Sequence, residues 1–227
     1  MLKISLVLFF LIGCVSLYSE EKILVMFGDS TTLCSRNSPG FKLTDLVQAY
    51  LTEKVIEVKV VNAGVGGNTA KQGYARMAND VIAKKPDFVT VSFGLNDTGY
   101  STSDEYQEYM EKIITDIQSK TQAKIMLITS NPFNNASHAW KDKFKEGLDE
   151  YMDLKICDVT RKLAKKHNLP LCDLHENFKS QFKKEKKLIN TLIMADGVHL
   201  TDEGNQASSR YIAPMIADMI NPGKQGR

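Results

Sequence analysis

The sequence predicts an α/β fold built on a parallel sheet with helices on both faces. Apolar runs of strand length recur five times, separated by stretches whose apolar residues fall at helical spacing. That alternation is the pattern of parallel strands joined by crossover helices. Four of the runs end in polar turns rich in Gly, Asn, Asp or Ser, at the strand ends beyond which such sheets bind ligands.

In chain order, Ile23 to Phe27 is the first strand and ends in Gly28-Asp29-Ser30, and Ser30 to Pro39 reads as a polar loop. Phe41 to Lys54 places Leu43, Leu46, Val47, Tyr50 and Leu51 at helical spacing. Val55 to Val61 reads as the second strand, closed by a glycine-rich turn over residues 62–69, and a helix follows to about Lys84. Pro86-Asp87 opens the third strand, Phe88 to Phe93, which ends in Gly94-Leu95-Asn96-Asp97. Ser103-Asp104-Glu105 is an acidic helix start, and that helix runs to about Lys120. Lys124 to Thr129 is the fourth strand, ending at Ser130-Asn131-Pro132-Phe133. A loop to Lys141 leads into a helical region reaching His167, with a break expected near Gly147. Leu169 to Leu174 holds the short fifth strand, and His175 to Lys187 is helical or irregular. Thr201 is placed to N-cap the last helix, which Pro214 is expected to kink.

With 227 residues, 43% of them hydrophobic, the chain can bury a full core, and one domain over residues 20–227 is expected. Twenty-nine basic against 27 acidic residues leave a net charge of +2, which gives no support for a nucleic-acid partner. The lysine-rich segments 161–166 and 183–187 read as solvated helix faces. Met1-Leu2-Lys3 followed by an apolar run from Ile4 to Ile12 is shorter than the about 20 residues that span a bilayer as a helix. It reads as a secretory signal over residues 1–19 and implies export to a bacterial periplasm or cell envelope. Leu11-Ile12-Gly13-Cys14 resembles a bacterial lipobox, which implies lipidation at Cys14 and a lipid anchor as the one membrane contact; small residues near Ser16 and Ser19 equally allow plain cleavage. Export permits disulfides, and Cys157 with Cys172 is the expected pair.

The chemistry begins with Ser30. A serine hydroxyl needs a base within hydrogen-bond reach, and the base needs an acceptor on its other nitrogen. Asp196-Gly197-Val198-His199 supplies a carboxylate and an imidazole three residues apart on one turn before the last helix. Attack on an ester builds charge on the carbonyl oxygen, which needs preorganised donors. The backbone N–H groups of Ser30 and Gly67 and the side-chain amide of Asn96 are the candidates. Gly66-Gly67 also fits a tight turn, and Asn96 an Asx-type turn; both readings stand together, because the turn aims the donor. The loops from Thr98 to Thr102 and from Asn131 to Trp140 are expected to set acyl and leaving-group preference, with Asn131 and Phe133 as substrate contacts; Phe133 and Trp140 fit an apolar or sugar-stacking wall, and fit ordinary packing better. The dinucleotide pattern fails, because the sixth position from Gly64 is Thr69. His138, His167 and His175 lack metal-ligand spacing, so neither a cofactor nor a metal is expected.

Taken in order, Gly28-Asp29-Ser30, the 62–69 turn with Gly67, Gly94-Leu95-Asn96-Asp97 and Asp196-Gly197-Val198-His199 resemble the four blocks of the SGNH (GDSL) hydrolase family. The resemblance covers about residues 22 to 210. It implies a flavodoxin-like three-layer α/β/α sandwich with a five-stranded parallel sheet, and metal-independent serine ester hydrolysis without a cofactor. Thr31 stands where the family name has leucine, and this looks more like the branches acting on acetylated carbohydrates or small esters than like true lipases. The expected activity is hydrolysis of short acyl or O-acetyl esters, the substrate a small molecule or a carbohydrate. A thioesterase or lysophospholipase with a longer acyl preference is the alternative enzyme. A lipid-anchored glycan-binding protein is the alternative without turnover, and it has no need of a Ser-His-Asp set.

Overall fold

The structure, a computed structural model, describes residues 21–223; the expected signal segment and Cys14 lie outside the described residues. Five strands, β1 (Ile23–Gly28), β2 (Lys59–Gly64), β3 (Phe88–Ser92), β4 (Lys124–Ile128) and β5 (Leu171–Cys172), form one parallel sheet in the order β2-β1-β3-β4-β5. Leu24 to Phe27 are at most 1% exposed. A strand covered on both faces has no reason to alternate with polar residues, which is why β1 reads as an unbroken apolar run.

The helices are α1 (Ser30–Leu33), α2 (Leu43–Glu53), α3 (Ala70–Asp80), α4 (Leu95–Tyr100), α5 (Ser103–Lys120), α6 (Leu148–Met152), α7 (Asp158–Lys166), α8 (Leu174–Lys184), α9 (Leu188–Leu192) and α10 (Asp202–Ile220). On one face Val25, Phe27, Val89, Val91, Ile125 and Leu127 pack against Met77 of α3, Ile113 and Ile117 of α5 and Leu163 of α7. On the other, Leu24, Met26, Met126 and Ile128 pack against Val47 and Leu51 of α2, Phe178 of α8 and Ile212 of α10. The three layers follow from the period-two alternation of strand side chains.

Boundaries shift where turn chemistry overrides the apolar pattern. β2 begins at Lys59, not Val55, because Val55 takes a left-handed conformation (φ 54°) and the Ile56 N–H closes the end of α2 on the Leu51 carbonyl at 2.9 Å. β5 keeps only Leu171 and Cys172, because Asp173 leaves the sheet to cap α8 through the Glu176 N–H at 3.2 Å. The helix before His167 starts at Leu148, after Gly147 with φ 101°, and a π-helical turn over Asp153–Cys157 joins α6 to α7. Thr201 caps α10 by accepting from the Gly204 N–H at 3.0 Å, and α10 continues through Pro214 to Ile220.

The expected disulfide is absent. Cys157 and Cys172 are both free and buried, and they lie in the cores on opposite faces of the sheet, so the sheet itself separates the two thiols. Strand order reverses between β1 and β3, and in such sheets the crevice at that reversal is where ligands bind. Gly28 and Ser92, paired in register, end the two strands there.

Candidate active site

Ser30 is the first residue after the β1 turn and opens α1. Gly28 makes the sharp exit possible: a Cβ there would stand 2.2 Å from Thr32 Oγ1 and 2.5 Å from the Ser92 carbonyl oxygen. Asp29 caps α1, its Oδ1 accepting from the Thr31 N–H and the Thr31 hydroxyl, both at 2.9 Å. Burial pushes the Asp29 carboxyl up to about 6, against the lowering effect of those two Thr31 bonds. The backbone is therefore held fixed under Ser30, whose side chain stays half-buried and reachable.

The Asp196–His199 turn arrives from the far end of the chain. His199 Nε2 lies 3.0 Å from Ser30 Oγ, and His199 Nδ1 lies 2.7 Å from Asp196 Oδ2. The carboxylate on Nδ1 fixes that nitrogen as the N–H donor and leaves Nε2 as the acceptor facing the hydroxyl. Asp196 Oδ1 accepts from the Val198 and His199 backbone N–H groups, both at 3.0 Å, so one carboxylate shapes the turn and orients the ring. Burial would raise the Asp196 carboxyl, yet the His199 ring and these two N–H groups hold it below the usual carboxylate range. Gly197, at φ 77°, packs where a Cβ would come 2.6 Å from the His138 nitrogen. Such a hydrogen-bonded line can take a proton from a hydroxyl as the hydroxyl attacks.

The glycine-rich turn closes the site from β2. Gly67, at φ 78°, is exposed, and its N–H has no acceptor among the described residues. A Cβ on neighbouring Gly66 would lie 4.0 Å from Ser30 Cβ, so the turn rests beside the serine. The Asn96 amide donates to the Asn68 carbonyl at 3.1 Å, which orients its second N–H. Asp97 joins the two loops, accepting from the Ala70 N–H at the start of α3 at 3.0 and 3.2 Å. Burial pushes its carboxyl up to about 7 despite that bond.

Asn131 and Phe133, expected as substrate contacts, are both buried. Asn131 is 1% exposed, and its amide donates to the Val198 carbonyl at 3.0 Å; it supports the turn that carries His199. Phe133 is 2% exposed and packs on His138 at 4.9 Å between ring centres, so its ring belongs to the core.

Two arginines were not singled out from the sequence. Arg36 Nη1 binds Asp196 Oδ2 at 2.5 Å from the solvent side. Arg76 on α3 donates to the Gly28 carbonyl at 2.7 Å, the Ala63 carbonyl at 2.9 Å and Asn68 Oδ1 at 2.7 Å, with its guanidinium 4.6 Å from the Phe27 ring centre. Arg36 meets Asp196 160 residues on; Arg76 pairs locally with Asp80 at 2.8 Å, but its contacts with the Gly28 and Ala63 carbonyls leave no local pattern.

A family model described as the GDSL-like lipase/acylhydrolase family matches residues 26–207, a span that includes Ser30, Gly67, Asn96, Asp196 and His199. An acetylxylan esterase of Geobacillus stearothermophilus is 28% identical over 217 residues, covering 85% of this chain and 92% of its own. The uncharacterized lipoprotein YqeF of Bacillus subtilis strain 168 is 28% identical over 247 residues, covering 97% of this chain and 94% of its own. A solved acetyl xylan esterase of Geobacillus stearothermophilus superposes with a TM-score of 0.71 at 25% identity, over 87% of this chain and 95% of that one. A lipase/acylhydrolase of Enterococcus faecalis gives 0.69 at 26% identity, over 86% and 95%. A parallel sheet in flavodoxin-like order, a hydroxyl at its switch point and a family match over most of the length agree: the chain belongs to the GDSL-like lipase/acylhydrolase family and is a carboxylic ester hydrolase.

Proposed function

We propose that the protein is an exported serine esterase that removes short acyl groups, O-acetyl groups on carbohydrate among them, through an acyl-enzyme. The observation that carries the reading is the pair of contacts on one imidazole, 3.0 Å from Ser30 Oγ and 2.7 Å from Asp196 Oδ2. Ser30 Oγ attacks the ester carbonyl carbon while His199 Nε2 takes its proton, and Asp196 steadies the imidazolium. The N–H groups of Ser30 and Gly67 and the free N–H of Asn96 receive the oxyanion. Collapse breaks the bond to the leaving alcohol, which takes the proton from His199. Water then attacks acyl-Ser30 with His199 again as base, which releases the acid and restores the hydroxyl. No step asks for a metal or cofactor.

The space immediately beside the serine is small. The recess bounded by Ser30, Thr31, Cys34, Asn37 and His199 holds about 10 Å³, roughly the room of one water-sized sphere. The relatives named as acetylxylan esterases favour acetylated carbohydrate. Export rests on the basic start and apolar run at the N-terminus, and lipidation at Cys14 on the lipobox-like sequence and on one relative's being named a lipoprotein. Residues 20–227 act as one domain.

Ser30→Ala lowers kcat for p-nitrophenyl acetate by at least about ten-thousand-fold, with the circular-dichroism spectrum unchanged. Undiminished turnover by that variant refutes the assignment.

A further inference from the structure

Beside Gly67 lies an open groove of about 590 Å³ that the acyl chemistry does not use, lined by Gly67, Lys71, Gln72, Tyr100, Ser101 and Glu105. We propose that this groove is a leaving-group subsite taking a pyranose ring of an acetylated carbohydrate, stacked on Tyr100. The inference rests on the esterase reading and deepens it.

Placement comes first. Asn96 and Tyr100 are four residues apart on α4 and so share a face of that helix. The Tyr100 ring therefore stands one turn beyond the amide that faces the reacting carbonyl, and Gly67 forms the end of the groove nearest that carbonyl. A Cβ on Gly67 would meet nothing within 4 Å, so open space lies beside this end of the groove.

Tyr100 is also built to be used. It is 70% exposed, yet it does not hang free. Trp140 meets it edge-on at 5.0 Å and 89°, and the Lys143 ammonium lies 6.0 Å from the Tyr100 ring centre and 5.2 Å from that of Trp140. Trp140 in turn packs onto Gly99, where a Cβ would fall 2.2 Å from the indole, and Lys143 also donates to the Gly99 carbonyl. Leaving a large ring in water forfeits the gain of burying it, and bracing it from behind lowers the entropy a ligand must remove. The brace continues to the turn that carries His199: the Trp140 backbone N–H donates to His138 Nδ1 at 3.0 Å, and the His138 backbone packs on Gly197.

The lining selects the occupant. A sugar offers an apolar C–H face for an aromatic ring and hydroxyls on its rim. The Lys71–Glu105 pair at 2.8 Å, the Gln72 amide and the Ser101 hydroxyl supply donors and acceptors for those hydroxyls. An alkyl chain in the same place would strip water from an ion pair and give nothing back.

Trp140 is the chain's single tryptophan, so the groove carries its own reporter. Ser30→Ala protein, unable to turn over, is titrated with acetylated xylo-oligosaccharide while Trp140 emission is followed. A saturable change is expected, with a Kd that rises about tenfold when Tyr100→Ala is added, as loss of one aromatic contact implies. In the Ser30-containing enzyme, Tyr100→Ala lowers the ratio of kcat/KM for that oligosaccharide to kcat/KM for ethyl acetate by about tenfold. Tyr100→Phe, which keeps the ring, lowers it less than about twofold. If ethyl acetate is hydrolysed through Ser30 but neither the emission nor the ratio responds to Tyr100, the subsite is overturned and the esterase reading stands. If the unaltered enzyme hydrolyses neither ester, both fall.

Discussion

Asn131 shows how far the geometry around His199 rests on buried residues. Its buried amide holds the Val198 carbonyl, the residue just before His199, and the imidazole lies 3.0 Å from the serine hydroxyl through the position of that backbone. Asn131→Leu leaves the carbonyl without its donor, which costs about 1–3 kcal/mol in urea unfolding. It also lowers kcat for p-nitrophenyl acetate several-fold with KM little changed, because it is the ring's position that moves. Equal effects on kcat and KM, or none, contradict this assignment. The sequence exposed Ser30, Gly67, Asn96, Asp196 and His199 because each sits in a short run whose residue types belong together. Asn131 was visible as a strand-end polar group but not its partner, 67 residues away. Arg36 was invisible for the same reason, since Asp196 lies 160 residues further on.

At the scale of elements, α3 fastens the ends of β1 and β2 through one side chain. Arg76 is 17% exposed and bridges the Gly28 and Ala63 carbonyls while holding Asn68, whose own carbonyl positions the Asn96 amide. Arg76→Leu removes three donors from part-buried acceptors and destabilises the fold by about 2–4 kcal/mol. Arg76→Lys does not restore it, because one ammonium does not replace a planar fork reaching carbonyls on two strands. Urea unfolding of the two variants checks both statements, and recovery of stability by lysine counts against them. Element order and type were legible from periodicity, whereas the edges of β2 and β5 were not. A positive φ at Val55 and the capping role of Asp173 decide those edges, and neither leaves a mark in hydrophobic spacing.

The whole molecule keeps two buried carboxylates beneath its site, Asp29 pushed up to about 6 and Asp97 to about 7. Each binds its proton more tightly folded than unfolded, so the folded state carries more protons between about pH 4 and pH 7 and these groups lower stability as pH rises through that window. Asp97→Asn keeps an acceptor for the Ala70 N–H and removes the titration. Its stability relative to the unaltered protein therefore rises from about pH 4 to about pH 7, by on the order of a few kcal/mol, and levels off above. A gap that stays constant across that range is the contrary result in urea unfolding. The three-layer architecture was readable from strand–helix alternation, but the side of the sheet each cysteine would face was not, and so Cys157 and Cys172 looked like partners when they lie in separate cores.

The proposed catalysis turns on one covalent bond, from a substrate acyl group to the hydroxyl at the end of β1. Treating the purified protein with a fluorophosphonate and mapping the adduct by peptide mass spectrometry tests it most directly. One modification is expected, on Ser30, appearing in step with loss of esterase activity and absent from the Ser30→Ala protein. An adduct on another residue, or full activity after Ser30 is modified, contradicts it.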